Sequence, residues 1–468
     1  MTLAHAAAIA EWLFLGYFVC LNAGYLMLYL FALSAVRHRF EAGVLDDLPH
    51  AYSGLEPPVS IVVPAYNEEA TIATSVSSML QLDYPEFEVI VVNDGSRDGT
   101  MEALRSAFAL VPFPEAYWRR LEVKPVRGIY RSTRHPNLRV IDKENGGKAD
   151  ALNAGINASR CPLFCGVDAD SILERSSLRR VVAPFLEDPA VVASGGTVRI
   201  ANGCTVRDGF LEAVALPSRL LPLMQIVEYL RAFLFGRMGW SPLNAVLIIS
   251  GAFGLFRKET VVAAGGYRER TIGEDMELVV RLHRMHRATG RAYRIVYVPD
   301  PICWTEAPES LRVLRSQRSR WQRGLAESLS ANLGLLGRHG GAAGWLAFPF
   351  MAFFEGAGPL IEVAGYVLML LGFAAGIVSG AACAAFLLLA IGLGIALSVC
   401  ALLLEEMSFH IYTRPRELAL LALAAVVENF GYRQLVSLWR LEGLLRWMSG
   451  ARARWGDMTR DAQWQKPA

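Results

Sequence analysis

Two aspartates, Asp168 and Asp170, stand two residues apart in GVDADS (166–171), just after an apolar run. Carboxylates at i and i+2 at the end of a buried strand can share a divalent ion, and Mg²⁺ and Mn²⁺ favour such hard oxygen ligands. A plain Asp-containing turn has the same spelling. Asp94 closes EVIVVND (88–94) ahead of Gly95 and Ser96, where it can accept a bond from a base N–H or cap the next helix. In DKENGGKADALNAG (142–155) the paired glycines allow backbone to approach a ligand, and Lys148 can meet phosphate at a helix start. A loop followed by an N-cap reads the same way. Glu274 and Asp275 head the amphipathic run EDMELVVRLHR. Acids there are ordinary dipole partners, or one of them takes a proton from a hydroxyl.

QRSRWQRG (317–324) places Gln317, Arg320, Trp321 and Gly324 at i, i+3, i+4 and i+7, one helical face. Arg320 on a diphosphate and Trp321 against a sugar face is one use of it. The other gives Arg318, Arg320 and Arg323 to lipid headgroups, each worth about 1 kcal/mol near an anionic surface, with Trp321 as an interfacial anchor. His283 and His286 lie on a charged helix and are expected to face water. Cys165 sits in a buried strand. The seven cysteines lack paired spacing and suit a reduced compartment.

Positioning these residues requires alternating strands and helices. VSIVVP (59–64), EVIVVND (88–94), RVIDK (139–143), PLFCGVDAD (162–170) and VVASGGTVRI (191–200) read as strands. Helices are expected over about 70–80, 99–109 and 149–158. This is a mostly parallel sheet with helices on both faces, which binds ligands at the carboxyl ends of its strands. Asn67, Glu68, Asn93, Asp94, Lys143, Asp168 and Asp170 gather there. Neither GxGxxG nor GxxxxGK[ST] occurs, so a nucleotide is held by other means. Residues 114–138, basic and aromatic, read as a solvated excursion between two sheet units.

Apolar residues make up 53% of the 468-residue chain and are unevenly placed. Segment 12–36 is uncharged and long enough to span a bilayer as an uncleaved anchor. Segment 381–404 is a second span. Segment 345–373, interrupted by Pro349, Glu355, Pro359 and Glu362, is a third, and 417–439 is a weaker fourth. Segment 216–241 reads as an interfacial amphipathic helix. Arginine clusters after the first span and at 414–416 place residues 37–340 on the cytoplasmic side. The expected organisation is an anchor (1–40), a cytoplasmic catalytic domain (57–300), an interfacial helical region (301–340), membrane helices (345–447) and a polar tail (448–468). The net charge of +2 favours no nucleic-acid partner.

Seven stretches occur together in one order: VVPAYNEE (62–69), VVNDGSRDGT (91–100), NGGKADALNAG (145–155), DADS (168–171), SGAFGLFRKE (250–259), TIGEDMEL (271–278) and QRSRWQRG (317–324). Together with the flanking apolar segments they resemble the processive, membrane-embedded glycosyltransferases of family 2, the group that makes cellulose, hyaluronan, chitin and poly-N-acetylglucosamine. The resemblance implies a GT-A-like α/β nucleotide-sugar transferase domain between transmembrane helices in a bacterial inner membrane. It implies a UDP-sugar donor, with UDP-glucose and UDP-N-acetylglucosamine both reasonable, and Mg²⁺ or Mn²⁺. By the same resemblance Ala65, Tyr66 and Glu68 line base and ribose, and Asp94 reads the uracil. Lys148, Asp168 and Arg320 approach the diphosphate, and Asp170 is the metal carboxylate paired with Asp168. Asp275 is the base beside Glu274, and Gln317 and Trp321 meet the acceptor. Arg318 and Arg323 are left to the membrane interface. The family usually has Thr-Glu before that base, whereas this chain has Gly273-Glu274. A growing β-linked polysaccharide is the expected acceptor. A lipid or polyprenyl carrier receiving one sugar, and a non-catalytic transferase-like partner, are the alternatives. With few spans, a helper subunit or homo-oligomer is a further expectation.

Overall fold

The computed structural model describes residues 3–42, 54–207 and 209–451. The polar tail expected from 448 lies almost wholly outside the described residues. In chain order the strands are β1 (Val59–Ala65), β2 (Phe87–Asp94), β3 (Leu110–Pro112), β4 (Val126–Ser132), β5 (Leu138–Lys143), β6 (Leu163–Val167), β7 (Ile172–Leu173), β8 (Val191–Ile200), β9 (Thr205–Arg207), β10 (Phe210–Ala213), β11 (Phe253–Arg257) and β12 (Arg294–Thr305). The helices are α1 (Leu3–Ala42), α2 (Ile72–Met79), α3 (Thr100–Phe108), α4 (Lys148–Ala158), α5 (Ser177–Glu187), α6 (Leu220–Tyr229), α7 (Met238–Trp240), α8 (Lys258–Ala263), α9 (Glu274–Thr289), α10 (Leu311–Ser330), α11 (Phe348–Phe350), α12 (Gly358–Ala374), α13 (Gly380–Ser408), α14 (Pro415–Val427) and α15 (Tyr432–Met448).

The strands with near-continuous apolar runs are buried on both faces, as a sheet covered by helices requires. Strands β5, β2, β1 and β6 run parallel, so their carboxyl ends share one edge. Ala65 pairs with Asn93 and Asp94 with Lys143 at that edge. The full sheet is mixed, in the order β3-β4-β5-β2-β1-β6-β11-β8-β12-β7. Antiparallel β11 lies between β6 and β8, and β12 pairs parallel with β8.

Three sequence expectations are corrected by packing. The 114–138 stretch is not wholly a solvated excursion. Its β4 pairs with β5 and β3, which supplies partners for the backbone groups along the open side of β5. Segment 216–241 does not lie on a surface. Helix α6 runs into a π-helical turn (Leu230–Arg237) and α7, and packs between β8 and helices α1, α13 and α14. Its charges turn inward: Glu228 pairs with Arg318 and Arg231 with Glu428. Segment 417–439 is two helices, α14 and α15, broken where Gly431 takes a positive φ of 99°.

Among the described residues, Glu11–Arg37 and Gly380–Ser408 are helices long and apolar enough to cross a membrane. A third span exists if Ala343–Gly356 and Gly358–Ala374, bent by 42°, count as one. π-helical turns and Pro359 interrupt that pair. Gln322 repairs the break. Its side-chain amide donates to the Glu355 and Gly356 carbonyls at 2.9 Å each, which the helix itself leaves without partners.

Candidate active site

The carboxyl edge of the parallel strands forms one wall of a cavity of about 1790 Å³. Helices α9 and α10 form another, and α1 and the bent pair close the membrane side. Ala65, Tyr66, Glu68, Asp94, Lys148, Asp168, Asp170, Glu274, Asp275, Gln317, Arg320 and Trp321 all line it. Sequence spacing therefore brought every candidate residue to one place, across 256 positions of chain separating Ala65 from Trp321 (321 − 65).

The wall is built locally. After β1 the chain turns through Asn67, at φ 56°. The Glu68 N–H donates to Thr100 Oγ1 at 2.8 Å, and the Glu68 carboxylate accepts from Thr71 Oγ1 at 2.9 Å. Tyr66 remains 41% exposed toward the cavity. Asp94 is buried. Its carboxylate accepts from Lys143 Nζ (2.6 Å), the Gly146 and Gly147 N–H groups (3.0 and 2.7 Å) and the Asn145 amide (3.2 Å). That many donors meet the hydrogen-bonding capacity of a carboxylate. Asp94 thus pins the 145–147 loop, and a base N–H reaches it only where the long Asn145 bond yields. Gly147 takes φ 91°, a turn that a side chain would strain, and Lys148 follows as the first residue of α4.

Lys148 Nζ sits 2.5 Å from Asp168 Oδ1 and 3.5 Å from Glu274 Oε1. Burial opposes its charge, but Asp168 and Glu274 outweigh that effect and raise the Lys148 pKa. Burial raises Glu274, against the pull of Lys148 and with the help of Asp275, to about 7. Asp275 Oδ2 accepts the Gly251 N–H at 2.9 Å and Oδ1 accepts the Met276 N–H at 2.8 Å. Each oxygen keeps lone-pair capacity for a substrate hydroxyl. A Cβ on Gly251 would stand 3.0 Å from Lys148 Nζ, so glycine keeps the backbone close to both groups.

Asp168 and Asp170 occupy the turn after β6 and are both partly exposed. Among the described residues no group of three or more His, Cys, Asp or Glu is arranged to hold a metal ion. Two carboxylates fit a hard cation that takes its other ligands from substrate phosphate and water.

Gln317, Arg320, Trp321 and Gly324 share the cavity face of α10, as the spacing predicts. Trp321 is 44% exposed on it. Arg318 departs from expectation. It is not at a lipid surface but 2% exposed, with its guanidinium 4.3 Å from the Trp321 ring centre. It donates to Gln317 Oε1 at 2.6 Å and pairs with Glu228 at 2.7 Å. Tyr432 donates to the same Glu228 oxygen at 2.6 Å. Arg323 likewise pairs with Glu327 at 2.7 Å and is mostly buried. The partner carboxylates account for both corrections: a buried cation persists when paired and hydrogen-bonded. His283 and His286 are buried too, because α9 lies against Tyr293, on which His286 stacks, and the Val246 carbonyl rather than water. Sequence reasoning also missed Arg237, Phe233 and Gly251 in the cavity. Only SGAFG carried a signal, its glycines.

A family model described as Glycosyl transferase family 2 matches residues 60–259, and one described as Glycosyl transferase family group 2 matches residues 164–399, slightly over half of the chain. Poly-beta-1,6-N-acetyl-D-glucosamine synthase of Staphylococcus aureus (strain COL) is 32% identical over 274 residues, which is 58% of this chain and 55% of that protein. The protein of the same name from Staphylococcus epidermidis is 29% identical over 272 residues, with the same coverage. The chain thus spans about half the length of the curated relatives it matches. Among solved structures, mannosyltransferase PcManGT from Pyrobaculum calidifontis, in complex with GDP-Man and Mn²⁺, superposes with a TM-score of 0.50 at 20% identity. It covers 87% of this chain and 99% of that one, a likeness of fold.

Proposed function

The chain belongs to the family 2 glycosyltransferases, and from that premise we propose that it transfers a sugar from a UDP-sugar to a growing β-linked polysaccharide at the cytoplasmic face of a membrane. The observation that carries the reading is the single cavity. It unites a lysine-and-aspartate edge, an acid pair and an exposed tryptophan, and then continues between α1 and the bent helix pair to Tyr25, Phe350 and Glu355. Ligand sites for one small molecule usually occupy about 300–1,000 Å³. This volume suits a donor together with several acceptor sugars.

In the proposed reaction the nucleotide lies along Tyr66 and the Asp94-pinned loop, and its diphosphate reaches Lys148 and Arg320. Asp275 takes the proton from the acceptor hydroxyl as that oxygen attacks the anomeric carbon opposite the diphosphate. One displacement inverts the centre, giving a β-linkage from an α-linked donor. Lys148 and Arg320 donate to the departing UDP as its charge grows. Glu274, buried beneath Lys148, orients it. Asp168 and Asp170 would hold Mg²⁺ or Mn²⁺, which when bound neutralises charge on the diphosphate. Trp321 stacks on the acceptor sugar at the mouth of the membrane-side extension.

The test is purified protein in nanodiscs supplied with a panel of UDP-sugars, reading UDP release and the size and linkage of the product. A long β-linked polymer is expected. A single sugar on lipid would replace this reading with carrier glycosylation. Asp275→Asn should lower turnover by at least 1,000-fold while UDP affinity stays within about threefold, because the lost group is a general base. Turnover at the wild-type rate removes Asp275 from that role.

A further inference from the structure

Among the described residues, four of the six arginines that line the cavity pair with carboxylates. Arg219 pairs with Glu309, Arg231 with Glu428, Arg318 with Glu228 and Arg440 with Glu355, each at 2.6–2.7 Å. Arg237 lines the same cavity, yet no carboxylate or hydrogen-bond acceptor contacts its guanidinium among the described residues, and Nη1 is buried without a partner. Its guanidinium carbon lies 3.9 Å from the Phe233 ring centre, so an aromatic face backs the planar cation. The residue ends the π-helical turn Leu230–Arg237, a conformation frequent at functional sites. Trp240 also lines this part of the cavity.

A buried, unpaired donor is costly, and retaining one is explained when a ligand supplies the acceptor. Burial accordingly lowers the Arg237 pKa. Phe233 stacks on Tyr229 with ring centres 5.1 Å apart, and Tyr229 lies 6.3 Å from Trp321, which sets Arg237 on the Trp321 side of the cavity. Lys148, by contrast, is held against Asp168 and Glu274.

We propose that Arg237 is a substrate-specificity residue that donates its planar N–H fork to an sp² oxygen on the acceptor sugar, an amide carbonyl or a carboxylate. Planar oxygen acceptors match the guanidinium fork in a way that a tetrahedral hydroxyl does not. The inference rests on the sugar-transfer reading of the cavity and narrows the class of acceptor.

The experiment measures binding directly and separately from turnover. Calorimetry on the full-length protein in nanodiscs compares β-linked pentasaccharides of N-acetylglucosamine, of glucose, and of glucose ending in glucuronate. It uses wild type, Arg237→Met and Arg237→Lys, with UDP affinity as the control for folding. Wild type is expected to bind the amide-bearing or carboxylate-bearing oligomer at least tenfold more tightly than the glucose oligomer. Which of the two binds identifies the oxygen. Arg237→Met should abolish the preference and Arg237→Lys should retain a minor part of it, both with UDP affinity within twofold of wild type. Equal binding of all three oligomers by wild type, no binding of any, or an unchanged preference in Arg237→Met overturns the inference. If the preference holds but no UDP-sugar turns over, the transfer reading falls and the oxygen site stands. If polymer forms and Arg237→Met keeps the wild-type preference, the reverse is true.

Discussion

At the scale of single residues, Arg318 organises more of the site than its neighbours in the same motif. It fixes the Gln317 amide, lies over the Trp321 ring and is itself held by Glu228. Deleting it would leave a buried carboxylate unpaired, at a cost of about 3–5 kcal/mol. Arg318→Lys keeps the charge but lacks the fork that serves Gln317 and Glu228 together. The expected result is an acceptor KM raised about tenfold, as for losing one charge-assisted bond, with unchanged UDP affinity. Loss in kcat alone, at an unchanged acceptor KM, would refute that positioning role. His283 makes a different prediction. Its ring bonds the Tyr293 hydroxyl at 2.8 Å and the Val246 carbonyl at 2.9 Å, and burial lowers its pKa to about 4. The unfolded chain binds a proton near pH 6.5 that the native protein refuses. The stabilising contribution is therefore full above about 6.5 and lost as pH falls toward 4, by about 3 kcal/mol. Thermal unfolding in detergent should show the gap between wild type and His283→Gln narrowing over that window; a gap independent of pH would contradict the buried neutral imidazole. Neither role was legible in sequence. Arg318 looks like any arginine beside a membrane, and its partner lies 90 residues away. His283 sits among arginines whose charge suggests water.

Helices and strands were more legible, because their signals are local. Apolar runs marked β1, β2, β5, β6 and β8, and polar residues at or just after the ends of β1, β2, β5 and β6 predicted the edge that lines the cavity. The approach of α9 to α10 was not visible. Gly273, the N-cap of α9, meets Gly324 of α10 backbone to backbone. A Cβ on Gly273 would stand 3.0 Å from Gly324 backbone atoms, and one on Gly324 would stand 2.9 Å from the Gly273 nitrogen. This contact gives a physical reason for glycine where related transferases usually have threonine. Restoring the family residue, Gly273→Thr, should push the acid pair away from Trp321 and lower kcat about tenfold, with a stability loss of about 1–3 kcal/mol from overpacking. A fully active, equally stable variant would show that the two helices have room to separate.

For the whole molecule, the membrane segments and the catalytic layer do not form separable stories. The sequence marked the two long spans by length and apolarity alone, but it suggested a fourth span where α14 and α15 break and turn their charges inward. Composition cannot show that Glu428 and Arg231 will find each other. Helix α15 packs along α10 so closely that a Cβ on Gly443 would strike the Ser319 carbonyl, and its Tyr432 completes the bonding of Glu228. A fragment containing residues 54–335 keeps the nucleotide edge but strips α10 of this support. Such a fragment should bind UDP within about tenfold of the whole protein and make no polymer. Polymer synthesis by the fragment would show that acceptor geometry is independent of the C-terminal helices.

Gln322 follows Trp321 directly and is tied to Arg440, which also bonds Glu355. Trp321, the proposed sugar platform, and the kink of the bent helix pair are thus adjacent links of one hydrogen-bonded chain. Under the proposed polymer-transfer reading, a shift of the platform would carry the kink with it, coupling advance of the acceptor to the opening beside Glu355.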